Sequence, residues 1–560
     1  MPDVPSSNLR TGGQIIVDCL RLHGVNTVFC VPGESYLATL DAFYDVQEEI
    51  KLVVCRQEGG VSNMAEAWGK MTGKPGIGFV TRGPGATNAS IGIHTAQQDS
   101  TPLILFIGQI ARDMSEREAF QEVDYRRMFG EMTKWVAQIE NAARIPEMIS
   151  RAFHVATSGR PGPVVLALPE DMQTERAVAD AGRSCRATQA YPGNSDMEVF
   201  RKMLADARKP LVLAGGGGWT QKACNDLTTF AEANDLPVAT AFRRQDLIDN
   251  RHPCFAGVVG LGINPKLKNR LDDTDLLIVL GTQLGEIVSG GYTYFTFPKP
   301  KQTIVHIAAG VDEIDKVYQA DLGINAGMAE FCAAATDLPP VDTPWSGETK
   351  AAHDDYVAFS TPAEMPGNVN YSEIIGWLSD NLPEDAIITN GAGNYTVWVH
   401  RFFRYKQYGT QLAPQSGAMG YGVPSGVAAG IRHPNRVVVS FNGDGCFQMN
   451  GLEIGTAVQY STKTIFIVVN NGMYGTIRMH QETHYPKRKS GTDLYNPDFA
   501  ALARSYGAIG ETVTNTSDFA DVFERCCAAN GPSLIELVIE PDAVLPTNTL
   551  SAIQKNALGG

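Results

Sequence analysis

Between Val437 and Gly475 the chain reads VVVSFNGDGCFQMNGLEIGTAVQYSTKTIFIVVNNGMYG, and no other segment restricts its fold as tightly. Two runs of Val, Ile and Phe, each of strand length, flank a stretch with helical spacing. Short runs that are apolar throughout, rather than at alternate positions, predict strands covered on both faces, as in a parallel sheet. A strand–helix–strand crossover is right-handed, so Val437–Phe441 and Thr464–Val469 are expected as parallel neighbours or near neighbours in one sheet. Gly443-Asp444-Gly445 then falls at the carboxyl end of one strand and Asn470-Asn471 at that of the other. Open α/β sheets bind their ligands at that edge.

The same alternation recurs along the chain. A first block, 1–170, carries strand-like runs at Thr27–Val31, Leu52–Cys55, Ile77–Thr81, Leu103–Ile107 and Gly162–Leu168. A second, 197–337, carries them at Pro210–Ala214, Leu276–Leu280 and Thr303–Ile307. A third, 369–542, has Ala386–Thr389 and Ser533–Val538 besides the pair above. Polar stretches at 170–196 and 338–368 read as linkers, and 543–560 as a C-terminal tail. The fold class expected is α/β, with three domains, each a mainly parallel sheet flanked by helices. With 560 residues, several cores rather than one are anticipated. The first and third blocks are candidates for related units.

A formal charge of −15 argues against non-specific nucleic-acid or anionic-membrane binding, because either surface would repel the chain. No apolar run approaches the roughly 20 residues of a membrane span. Met1 to Arg10 is polar and lacks a secretory core. A cytoplasmic protein is expected. The ten cysteines show no C-x-x-C knuckle and read as mainly buried thiols.

Asp444 and Asn471 offer a carboxylate and an amide oxygen, and the main-chain carbonyl of Met473 adds a third hard oxygen. Mg²⁺ prefers such donors and is commonly completed by phosphate oxygens and water. Gly443 and Gly445 allow close backbone approach, and the helix that follows presents free N–H groups to an anion. Gly-Asp-Gly by itself is a common turn; the Asn-Asn pair after a second strand is what favours a metal site.

This combination, with Asp444 and Asn471 27 positions apart, resembles the thiamine-diphosphate enzymes. Over nearly the whole chain the resemblance is nearest to the acetolactate-synthase-like decarboxylases and carboligases. It implies the thiamine-diphosphate-binding fold: a pyrimidine-binding domain, a central domain and a diphosphate-binding domain in that order. It also implies thiamine diphosphate and Mg²⁺ as cofactors. Glu58, in Arg56-Gln57-Glu58-Gly59-Gly60, matches the glutamate beside the pyrimidine N1′, with Gln57 where relatives commonly have His. Met419, in Ser416-Gly-Ala-Met-Gly-Tyr-Gly-Val-Pro424, matches the wedge that bends the cofactor, with Gly417 beside it. Gly391, Asn394 and Tyr395 match a second diphosphate loop, and Cys446 and Tyr474 extend the cofactor contacts. Because Glu58 and Asp444 lie in different domains, the resemblance implies a homodimer at least, and often a homotetramer.

The substrate side is less uniform. Arg82-Gly-Pro-Gly-Ala-Thr-Asn88 and Ala119-Phe-Gln-Glu-Val-Asp124 resemble the same group, and Gln121 would hydrogen-bond substrate oxygen. Glu34, in Pro32-Gly33-Glu34-Ser35, departs from the usual Pro-Gly-Gly and would act as a general acid, as in pyruvate decarboxylases; a solvated loop carboxylate is its other reading. His480 stands where the biosynthetic enzymes carry Trp. His94 and Thr476 complete the candidate pocket. The expected reaction is decarboxylation of a 2-oxo acid with transfer of the resulting fragment to a carbonyl acceptor. Simple decarboxylation to an aldehyde, acyloin cleavage, and an inactive cofactor-binding subunit remain alternatives. Gly281-Thr-Gln-Leu-Gly-Glu286 lacks the Phe-Asp-Asp-Arg pattern of FAD-binding relatives, so FAD is not expected.

Overall fold

A computed structural model describes residues 9–559. Three six-stranded sheets organise them, and every strand pairing within the three is parallel. The first runs, in spatial order, Lys51–Val54, Thr27–Cys30, Gly76–Val80, Leu103–Gln109, Pro163–Pro169, Trp135–Gln138. The third runs Gln411–Leu412, Ile387–Asn390, Val438–Gly443, Ile465–Asn470, Ser533–Val538, Ile509–Val513. Numbered by chain order within each sheet, both read 2-1-3-4-6-5, so the outer blocks share one topology. The central sheet, Phe255–Val259, Val238–Ala241, Pro210–Ala214, Leu276–Leu280, Thr303–Ala308, Leu322–Asn325, instead reads 3-2-1-4-5-6. That is the order of dinucleotide-binding sheets.

The described residues fall into two compact units. One runs to Thr188 and takes in Val427–Arg432; the other comprises Gln189–Gly426 and His433 onward. Burial explains why apolar runs became strands. Pro163–Pro169 and Leu103–Gln109 are buried at every position. In the central sheet Leu211 and Leu213 enter one core while Val212 and Ala214 enter another, so both faces are covered. No helix among the described residues is long and apolar enough to cross a membrane.

The stretches expected as linkers carry structure. In 170–196, Glu170–Thr174 is helical and Arg176–Ala177 pairs antiparallel with Arg10–Thr11. Gln173 is buried there, its amide donating to Ser35 O (2.9 Å) and Leu168 O (3.0 Å) while accepting from Thr39 Oγ1 (2.7 Å). A polar residue satisfied in this way leaves no apolar signal in the sequence. In 338–368, helix Glu348–Phe359 packs on Phe255–Val259 and stacks Tyr356 edge-on to Phe255, with ring centroids 4.7 Å apart. The tail forms a hairpin, Ala543–Leu545 with Asn548–Thr549, then a helix, Leu550–Ala557, against helix Gly475–His484. Most strands at the sheet edges also went unforeseen, although the edge strand Lys51–Val54 falls on the expected run Leu52–Cys55. Ile509–Val513 is mostly exposed or half-buried, and an edge strand needs no continuous apolar run.

Candidate active site

Strand Val438–Gly443 lies directly beside Ile465–Asn470, with Gly443 opposite Val469. Asp444 and Asn471 therefore leave the carboxyl ends of adjacent strands. Asp444 is 3% exposed. Its Oδ1 accepts from Gly445 N–H (2.8 Å), and its Oδ2 from Gly472 N–H (2.9 Å) and the Asn496 amide (2.8 Å). Asn471 Oδ1 accepts from Met473 N–H (3.2 Å). The turn carrying Met473 is clamped by a second segment: Leu494 N–H donates to Gly472 O and Tyr474 N–H to Thr492 O, both at 2.9 Å. Burial raises the Asp444 carboxyl above its ordinary range, against the lowering effect of these N–H donors.

A cavity of about 250 Å³ opens over this edge. Its walls include Asn394, Tyr395, Gly417, Met419, Gly443, Asp444, Gly445, Cys446, Asn471, Met473, Tyr474 and Thr476, so most candidate residues of the third block meet in one place. It lies where the chain turns opposite ways out of Ile387–Asn390 and Val438–Gly443, the switch point at which such sheets bind ligands. Gly391 sits just behind the wall, and its N–H donates to the Tyr395 hydroxyl (3.0 Å), which donates to Cys446 Sγ (3.4 Å). Tyr395 and Cys446 thus brace one another as well as lining the cavity. Asn394 and Thr476 bond reciprocally: Thr476 Oγ1 donates to Asn394 Oδ1 (2.8 Å) and accepts from Asn394 N–H (2.9 Å). His480 is placed differently. It is exposed, outside the cavity wall, with its ring parallel to His484 at 6.3 Å.

Several wall residues escaped the sequence. Ala543 and Val544 of the tail line the cavity, and the Asn394 amide donates to Val544 O (2.9 Å). Ile477 and Ile539 add apolar surface. Asn496 ties Asp444 to Asn470 Oδ1 (2.8 Å), yet it sits in a non-periodic loop whose sequence carries no ligand pattern.

In the other unit, Glu34, Glu58 and Gln121 gather around the turn Thr81–Gly85. A Cβ on Gly33 would lie 2.6 Å from Thr81 Cβ, one on Gly85 3.3 Å from Glu58 Oε1, and one on Gly83 2.8 Å from Gln121 O. Glu58 opens helix Glu58–Thr72, and its Oε2 accepts from the Asn88 amide (2.9 Å). Gln57 caps that helix by accepting from Gly59 N–H, a role that accounts for glutamine at the position. Glu34 begins a single 3₁₀ turn and is exposed in its unit. Gln121 has φ +65°, in a loop closed by Glu122, whose carboxylate accepts from Glu116 N–H (2.7 Å) and Ala119 N–H (3.0 Å). His94 lies on the exposed face of helix Pro84–Asp99.

The third-block site has the features a magnesium-bound diphosphate requires. Every partner of the buried Asp444 carboxylate is a neutral N–H, so a divalent cation would offset the cost of burying its charge. The glycines leave room that side chains would fill: a Cβ on Gly445 would stand 2.5 Å from the Tyr474 ring, and one on Gly443 2.9 Å from the Tyr395 ring.

Known proteins resemble this chain over most of its length. Residues 10–128 match the family model for the thiamine pyrophosphate enzyme N-terminal TPP binding domain, 197–335 the central domain, and 391–537 the C-terminal TPP binding domain. The chain is 29% identical over 532 residues to acetolactate synthase isozyme 2 large subunit of Escherichia coli K12, covering 94% of this chain and 95% of that protein. It is 30% identical over 557 residues to a probable acetolactate synthase large subunit of Methanocaldococcus jannaschii, covering 96% and 93%. It is also 30% identical over 529 residues to the acetolactate synthase large subunit of Parasynechococcus marenigrum, covering 92% and 85%. The chain belongs to the thiamine pyrophosphate enzyme family and is a thiamine-diphosphate-dependent enzyme of the acetolactate-synthase type.

Proposed function

We propose that this enzyme decarboxylates a 2-oxo acid and transfers the remaining fragment to a carbonyl acceptor, using Mg²⁺ held by Asp444, Asn471 and the Met473 carbonyl. The observation that carries this is the buried Asp444 carboxylate, partnered only by neutral N–H groups, in the cavity it shares with Asn471 and Met419. When bound, thiamine diphosphate supplies the electron sink that lets a 2-oxo acid lose CO₂. Gly443, Gly445, Cys446, Gly391, Asn394, Tyr395 and Tyr474 hold the diphosphate end, and Gly417 with Met419 the middle. Glu58 holds a proton at the pyrimidine N1′. Gln121 orients substrate oxygen, while Glu34 holds a proton for the product side. Thr476 and His94 face the substrate.

The three matched segments support domains at 1–170, 197–337 and 369–542, with 543–560 as a tail. The separation of Glu58 from Asp444 between units supports a homodimer whose sites are shared, and a homotetramer built from it. We place the protein in the cytoplasm. Incubating chain, thiamine diphosphate and Mg²⁺ with pyruvate, benzoylformate and other 2-oxo acids tests the reading. CO₂ release with a 2-hydroxy ketone or acetolactate-like product is expected. CO₂ with aldehyde alone would replace it with simple decarboxylation, and no turnover of any 2-oxo acid would sink it.

A further inference from the structure

We propose that the buried segment Phe242–Asp246 of the central sheet's loop region positions the cofactor-facing segments of the third sheet, with Gln245 and Arg243 as its positioning residues. The proposal rests on the cavity being the thiamine diphosphate site.

Gln245 has no exposed surface and uses its whole amide across the two sheets. Its backbone N–H donates to Gln411 Oε1 (2.7 Å), and its Oε1 accepts from Gln411 Nε2 (3.3 Å). Its Nε2 donates to His400 O (2.8 Å). That carbonyl belongs to the last turn of helix Tyr395–Phe402, where carbonyls lack an intrahelical donor. The first residue of the same helix is Tyr395, a cavity wall.

The neighbours of Gln245 grip the other cofactor-facing segment. The Arg243 guanidinium donates to Pro414 O, three residues before Gly417. Asp246 Oδ2 accepts from Gly409 N–H (2.9 Å) and Gln411 N–H (3.4 Å). Three residues of one short segment, Arg243, Gln245 and Asp246, thereby hold both the helix that presents Tyr395 and the approach to the Met419 loop. Arg243 is 4% exposed at φ +63°, a left-handed conformation that a non-glycine residue keeps only when its surroundings hold it. The Gln245 amide is satisfied at both its oxygen and its nitrogen, and a buried polar group paired in this way specifies geometry strongly.

Two full-length variants test this, Gln245→Leu and Arg243→Met. Thiamine diphosphate affinity is measured by calorimetry in Mg²⁺, and exchange of the cofactor's C2 proton by NMR at saturating cofactor. A positioning role predicts about a tenfold weaker Kd, equivalent to about 1.4 kcal/mol, and about tenfold slower C2 exchange once the site is filled. Loss of thermal stability with wild-type Kd and wild-type exchange would overturn it. Should the variants not fold, hydrogen exchange on the wild-type chain decides instead. Adding thiamine diphosphate and Mg²⁺ should protect 242–246 together with 395–402 and 411–419; protection of the latter two without 242–246 would overturn the proposal. If the wild-type chain bound no thiamine diphosphate, the functional reading would fail first, a result distinct from either outcome.

Discussion

Replacing Gln554 by Met would loosen the wall that the C-terminal tail contributes to the cavity. Glu482, on helix Gly475–His484, has a fully buried carboxylate. It is held by Arg478 (2.8 Å), by Lys487 N–H (2.9 Å) and by Gln554 Nε2 from helix Leu550–Ala557 (2.7 Å). The substitution nearly preserves volume and removes only the Gln554 bond, a hydrogen bond to a charged group that contributes about 1.5–3 kcal/mol. Arg478 and Lys487 stay in place, so the folded core keeps its charge pairing. The loss falls on tail docking, and the open population should rise roughly 10- to 150-fold. Hydrogen exchange in 543–557 should accelerate by that factor while the global Tm changes little, because local opening is separable from global unfolding. Since Ala543 and Val544 line the cavity, the KM for the 2-oxo acid should rise more than kcat falls. Tail exchange accelerated less than about threefold, or a Tm drop carrying the whole effect, would refute the reasoning.

Acid should loosen the same tail: burial pushes Glu482 up, but Lys487 N–H, Gln554 and Arg478 together hold its carboxyl below the ordinary range. That stabilisation is present above the unfolded pKa and lost as pH falls through the lower folded one, so tail protection should vanish in acid in the wild-type chain but vary less with pH in Glu482→Gln. Glu58→Gln should retain cofactor affinity while C2 proton exchange falls by at least about a hundredfold, the usual range for a positioned proton carrier; NMR exchange at saturating cofactor checks it. Mixing the inactive variants Glu58→Gln and Asp444→Asn should restore about a quarter of wild-type activity if each site draws on two subunits, the statistical share for reassorted dimers; sites formed within one chain would give none. Removing divalent cation with EDTA should abolish tight thiamine diphosphate binding, and Mg²⁺ should restore it; unchanged calorimetric affinity would remove the metal from the site.

Much of the sheet edge that carries Asp444 and Asn471 was legible in the sequence because it depends on local rules. Residues 438–441 and 465–469 are buried at every position and apolar but for Ser440, and their right-handed crossover leaves Asp444 and Asn471 at one edge. Glycines pressed against Tyr395 and Tyr474 likewise mark the cradle. The sequence also carried the three-sheet α/β architecture, since fully covered strands leave a pattern that edge strands such as Ile509–Val513 do not. Tertiary structure alone decided what depends on distant partners. It built packed elements into parts of both expected linkers, brought Asn496 to Asp444 across a loop, and set Ala543 and Val544 in the cavity wall. It placed His480 on an exposed helix face rather than in that wall. It also gave Gln245 its role, because a buried amide satisfied by Gln411 and His400 looks in sequence like any polar loop residue. Apolar burial writes itself into composition and period, whereas a satisfied polar contact is defined by geometry between residues far apart in the chain.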